Sequence, residues 1–349
     1  MDEPHASQAP LLWGGALAVG SAVLFGASTL FVKRFGHACG PFTTAGLLYA
    51  GAAVASIGRR SRDAEAPVGR AQAPRLLAVA LFGAVIAPAL LAWGLVRTGA
   101  TSASLLLSSE AFFTVLLARA FFHEPVGWRV SLALGAMVLG AATLVGGAPS
   151  GTWSLGSLAV LLASLAWAAD NTLTRPLADL DPTRVVLWKS AVGATLSLSL
   201  AVALREPVPG GADAPGLAVT GGIGYGTSLR LYLGAQRRMG AGRTGSVFAA
   251  APFLGAMAGW LAGDRSLGWN ALVAGGLFAA GVVLHLTERH RHAHTHDALE
   301  HEHRHRHDDG HHAHVHDPPV TGEHSHPHSH LPTEHSHPHG SDLHHQHSH

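Results

Sequence analysis

The sequence predicts an all-α integral membrane protein: ten transmembrane helices arranged as two inverted five-helix repeats, followed by a disordered histidine-rich tail. Three observations lead there. Apolar runs long enough to cross a bilayer recur through the first 287 residues, Lys and Arg concentrate in alternate connections, and a shift of about 141 residues superposes the two halves. Of 349 residues, 48% are hydrophobic and 13% charged, against roughly 25% charged in soluble globular chains. The net charge of +1 with His neutral gives no footing for a nucleic-acid partner. A single cysteine, Cys39, excludes an intramolecular disulfide and a cysteine-built metal cage. The opening MDEPHASQAP lacks the basic region of a secretory signal, so the first apolar run is expected to stay as a helix.

A helix needs about 20 apolar residues to cross roughly 30 Å of hydrocarbon with its backbone satisfied internally. Such runs fall at 11–32, 41–58, 75–96, 100–121 and 128–146, and again at 153–174, 184–204, 215–235, 241–262 and 268–287. Several are rich in Gly and Ala, as in GAMVLGAATL and GGIGYGTSLRLYLGA, a composition that lets membrane helices approach closely. Pro88 and Pro252 are expected to kink the third and ninth.

The connections set the orientation. With the N-terminus inside, the cytoplasmic side carries Arg59, Arg60, Arg62, Arg70, Arg75, Arg119, Arg129, Arg175, Arg184, Lys189, Arg237, Arg238 and Arg243. The far side carries Lys33, Arg34, Arg97, Arg205 and Arg265. This positive-inside bias predicts an inner-membrane, multi-pass protein with both termini cytoplasmic.

The repeat pairs Gly99-Ala100 with Gly240-Ala241, Gly127-Trp128 with Gly268-Trp269, and Gly135 and Gly140 with Gly276 and Gly281. Near the start of each half, Phe25 and Lys33 fall opposite Trp167 and Arg175. Five helices per half is odd, so the second copy runs inverted through the membrane. Inverted repeats supply two packings of similar energy around a mid-membrane site, the basis of alternating access in secondary transporters.

The stretch SLLLSSEAFFTVLLARAFFHEPVGWRVSLALGAMVLGAATLV has an apolar helix, a tight turn bearing Glu124 and a Gly-rich helix. It resembles the last two helices of an EamA domain, the five-helix unit of the drug/metabolite transporter superfamily. SVFAAAPFLGAMAGWLAGDRSLGWNALVAGGLFAAGVVL resembles it again, with Pro252 in the helix and Asp264 in a turn one residue longer. The resemblance covers about 11–287 and divides it at 11–146 and 153–287, with the tail at 288–349. It implies ten helices, cytoplasmic termini and a cavity lined by helices one to four and six to nine. It implies export of a small metabolite, leaving the substrate undefined.

Ionisable groups at membrane depth face a cavity or a partner. Glu110, Asp170, Lys189 and Arg230 are such groups, and Asn171 and Tyr225 accompany them as candidates for a substrate or proton pathway. Glu110 sits about ten residues into its helix, near mid-depth, and is the expected proton-coupled or cation-binding carboxylate; an ion pair with Arg230 is the structural alternative. Asp170 and Lys189 are placed to pair.

Of 27 histidines, 23 lie between His290 and His349. The H-x-H pattern offers His292, His294, His296, His301, His303, His305, His307, His324, His326 and His328 as ligands for Zn, Ni, Co or Cu. Pro, Gly and charge density predict disorder and several weak sites rather than one cage. No cofactor is required. The expected partners are the lipid bilayer, a small-molecule or ion substrate and transition metal ions, with a homodimer left open. Two other functions compete: a nickel, cobalt or zinc exporter, and a membrane-anchored metal store or sensor without transport. No phosphate loop or nucleophile motif suggests an enzyme.

Overall fold

The computed structural model describes residues 9–57, 67–122, 127–146, 154–177, 180–263, 268–286, 293–296, 299–305, 324–330 and 333–336. From 9 to 286 the described residues form a helical bundle. Helix α1 is Ala9–Gly36 and α2 is Pro41–Val54, opened by Pro41 where a missing N–H costs nothing. Helix α3 spans 73–97: Ala73–Ala80, a π-helical segment Leu81–Ile86, and Ala87–Arg97. Helix α4 is interrupted, Ala100–Leu106 and then Ser109–Phe122; α5 is Trp128–Gly146. The second half holds α6 (Leu155–Thr174) and α7 (Pro182–Ala203). Helix α8 spans 213–248 as Asp213–Thr220, a π-helical segment Gly221–Thr227, and Ser228–Phe248. Then follow α9 (Ala251–Leu261) and α10 (Trp269–Leu286).

Among the described residues, five stretches are long and apolar enough to cross a membrane: Leu12–Gly36, Arg70–Arg97, Ala100–Phe121, Leu155–Thr174 and Pro182–Ala203. Trp128–Leu144, Ala251–Leu261 and Trp269–Leu284 are shorter apolar helices. Many large apolar side chains face outward, among them Trp13, Phe121, Trp128, Val202 and Trp269, as expected of a surface solvated by lipid rather than water.

The packing follows the small residues. Helix α1 lies along the Ser228–Phe248 part of α8 and along α9, while α6 lies along α3 and α4. Helix α2 packs on α7, and α5 on α10. A Cβ on Gly51 would collide with the Ala218 backbone, and one on Gly221 with the Leu48 backbone, so α2 and α8 meet nearly backbone to backbone.

Several expectations need correction. Helix α2 has 14 residues, about 21 Å at 1.5 Å per residue, and stops before the expected 58. Helix α4 covers the expected span 100–121 and is interrupted within it, at Leu107 and Ser108. Its backbone tightens there into i→i−3 bonds, Ser108 N–H to Leu105 O and Glu110 N–H to Leu107 O, both 3.0 Å. Helix α8, expected to end near 235, continues to Phe248; no proline stands in 236–248, and each Gly there costs a helix only about 1 kcal/mol. Arg238 therefore lies on a helix, not in a connection. Pro252 does not kink α9: it stands at the helix's first turn, where its missing N–H is tolerated.

In the tail, Ala293–His296 runs antiparallel to Thr333–Ser336, and Leu299–His305 to His324–His330. The physical reason is the H-x-H repeat itself, whose period of two is that of a strand.

Candidate functional site

The π-helical segment of α3 makes the floor of the site. Pro88 has no N–H to give the Ala84 carbonyl four residues back. That freed oxygen accepts from the Ser197 hydroxyl of α7 at 3.5 Å, the kind of side-chain repair membrane interiors require. One residue earlier, Gly83 O accepts from both Tyr49 OH at 2.5 Å and Trp167 Nε1–H at 3.2 Å. Gly83 must be glycine, because a Cβ there would overlap the Asp170 carboxylate.

Beside that floor lie the charges. Lys189 Nζ of α7 donates to Asp170 Oδ2 of α6 at 2.5 Å, with both side chains 4% exposed. Thr174, one turn along α6, donates to the other oxygen of Asp170 at 3.2 Å. The neighbouring Asn171 Nδ2–H donates to Glu110 Oε1 of α4 at 2.5 Å. A carboxylate held by a neutral amide thus stands next to a carboxylate held by an ammonium.

An aromatic cluster closes the other side. Tyr225, in the π-helical segment of α8, packs edge-on to Tyr49 and Phe25 with ring centroids 5.5 and 5.7 Å away. Phe25 also meets Trp167 at 5.7 Å.

The structure therefore brings Glu110, Asn171, Asp170 and Lys189 together and sets Tyr225 against Tyr49, which touches the same Gly83. Arg230 goes elsewhere: it donates to Ala55 O at 2.7 Å, just past the end of α2, and to Thr227 Oγ1 at 3.0 Å. The Glu110–Arg230 pair considered from sequence does not form, and Asn171 occupies Glu110 instead. Of the tail ligands, His294, His296, His301, His303, His305, His324, His326 and His328 fall on paired strands; His292 and His307 lie outside the described residues. Among the described residues no group of three or more His, Cys, Asp or Glu is arranged to hold a metal ion.

Sequence reasoning missed Tyr49, Trp167 and Gly83 as site residues. It also missed Glu206, in the α7–α8 connection, which accepts from Phe42 N–H at 3.2 Å and from Thr43 N–H and Oγ1 at 2.7 and 2.9 Å. That carboxylate caps the N-terminus of α2, where the helix dipole favours negative charge. The signal available in sequence was Gly40-Pro41, a helix start with no capping side chain of its own.

The geometry draws on two stretches of chain, and both match one known family. The EamA-like transporter family matches residues 12–146 and 154–287. The chain belongs to the EamA-like transporter family. A protein described as an uncharacterized transporter, from Methanothermobacter thermautotrophicus, is 28% identical over 273 residues, covering 70% of this chain and 78% of that one. A solved structure with 18% identity, TM-score 0.56 and coverage of 77% of this chain and 96% of its own shares the fold. The molecule is thus a multi-pass membrane transporter of the EamA-like type. In this EamA-like transporter, the first matched stretch contributes Phe25, Tyr49, Gly83 and Glu110, and the second contributes Trp167, Asp170, Asn171, Lys189 and Tyr225.

Proposed function

We propose that this protein is an inner-membrane secondary transporter that exports a small polar or charged solute by alternating access, with both termini cytoplasmic. The observation that carries the reading is the polar cluster of Glu110, Asn171, Asp170 and Lys189, assembled from both family-matched stretches inside an apolar bundle. Groups so costly to bury are retained at membrane depth chiefly where solutes or ions pass.

Alternating access needs two halves that exchange roles, and the packing supports ten helices as two inverted five-helix repeats. Each relation in one half has its counterpart in the other: α1 with α8 and α9, α6 with α3 and α4. The π-helical segments correspond as well, since Leu81–Ile86 lies opposite 222–227 at the repeat spacing. In this reading Glu110 is the coupling carboxylate, Asp170 and Lys189 form a pair that the solute or a proton opens, and Tyr49 and Tyr225 line the path.

The tail adds a metal-holding function for Zn, Ni, Co or Cu. Its support is the strand register, which pairs His301 with His328, His303 with His326, and His305 with His324. This favours metal capture on the tail rather than a metal path through the bundle. Reconstituted vesicles offered zinc, nickel and a panel of amino acids provide the test. Flux of an organic solute that Glu110→Gln abolishes and tail deletion spares is the expected result. Metal flux that survives tail deletion would replace this reading with a metal exporter, and tail-dependent metal binding without any flux would replace it with storage or sensing.

A further inference from the structure

Hydroxyls inside a membrane helix commonly donate to the carbonyl four residues back. Ser56, Thr114, Ser164 and Thr172 do so here. Ser104, Ser108 and Ser109 do not: their Oγ atoms are buried without a hydrogen-bond partner, and the residues are 1%, 4% and 4% exposed. They flank the interruption of α4, and Glu110 follows at once. Unpaired buried hydroxyls are destabilising unless something occupies them.

The second half provides a comparison. The repeat spacing places Ser104 opposite Gly245, and Ser108, Ser109 and Glu110 opposite Ala249, Ala250 and Ala251. The chain is interrupted there too, at Ala249 and Ala250 ahead of Pro252. An interruption at this position therefore does not require polar side chains. In α4 the serine hydroxyls make no bond that would hold the turn, so shaping the backbone does not account for them.

Charge narrows the ligand. Asp170 and Lys189 neutralise each other, whereas the Glu110 carboxylate is met by the neutral Asn171 amide. When ionised, Glu110 supplies one negative charge, which a single monovalent cation balances. Hydroxyl and carboxylate oxygens are hard donors, suited to an alkali cation and poorly suited to soft transition metals. Interrupted membrane helices are a recurrent setting for such ions.

We infer that the interruption of α4 binds a monovalent alkali cation of the sodium class, with ligands drawn from the Ser104, Ser108 and Ser109 hydroxyls and the Glu110 carboxylate. Its role as coupling ion rests on the transport reading; its binding does not.

The test uses the full-length protein in detergent, with sodium chloride compared with choline chloride at equal ionic strength. A saturable, sodium-specific rise in Tm is expected, together with binding of radioactive sodium. Ser104→Ala/Ser108→Ala should weaken sodium at least tenfold while its Tm in choline stays at or above that of the parent, because the orphan hydroxyls are gone. Ser108→Thr, which keeps a hydroxyl, should retain binding. Equal Tm in both salts, or a sodium effect unchanged in the double alanine variant, overturns the site. Stabilisation by acid without any sodium effect also overturns it, in favour of a proton. Solute flux without sodium binding removes the site and keeps the transport reading; sodium binding without flux of any solute does the reverse.

Discussion

Removing one partner of the Asp170–Lys189 pair leaves a buried charge unpaired, a change that typically costs about 3–5 kcal/mol. Lys189→Met and Asp170→Asn are each expected to lower the thermal unfolding midpoint in detergent markedly. Asp170→Asn/Lys189→Met together should recover much of the loss, because no charge is then stranded. Glu110 behaves differently, since its partner is the uncharged Asn171. In sodium-free choline chloride, Glu110→Gln is expected to leave the midpoint close to that of the parent, and in vesicles it should abolish flux and its pH dependence. Outside the membrane segments, burial pushes the Cys39 thiol above its ordinary value, and the nearby charges of Asp213 and Glu206 add to that rise. Its thiolate fraction at neutral pH is correspondingly small. Alkylation of native protein by iodoacetamide should be slower at pH 8 than for a free thiol, and should accelerate as the pH is raised further. A rate equal to that of the free thiol would contradict the burial described.

At the scale of elements, the two π-helical segments decide where side chains meet. Such segments are rare and often mark functional positions. In α3 the segment carries Gly83, whose carbonyl oxygen accepts from both Tyr49 and Trp167. Gly83→Ala would press a methyl group into the Asp170 carboxylate, and overpacking of this kind costs typically about 1–3 kcal/mol. The expected outcome is a lower unfolding midpoint and loss of flux, measured side by side with Gly135→Ala, whose added Cβ meets nothing within 4 Å. Pro88 marked in the sequence where a bend in α3 was expected. That the distortion would be a wide turn just before it, repaired by Ser197 from another helix, was not visible, because the repairing group lies 113 residues away in the chain.

For the whole molecule, the charge asymmetry of the connections predicts which surface faces the cytoplasm. In a Cys39→Ser background, Val208→Cys in the exposed α7–α8 connection should react with a membrane-impermeant maleimide on intact cells. Ile57→Cys, exposed just beyond α2, should react only after lysis. The reverse pattern would overturn the orientation.

The sequence by itself determined that the chain is a helical membrane protein of the EamA-like transporter family and which ionisable residues fall within its helices. These follow from composition, spacing and the cost of burying charge, all local properties. The tertiary structure decided who meets whom. Glu110 takes Asn171 rather than Arg230, Asp170 rests on Gly83, and Glu206 caps a helix more than 160 residues away. Those pairings depend on how helices from distant parts of the chain cross. The register of the tail has the same origin: alternation shows that His residues share a face, but only strand pairing says which stand opposite each other.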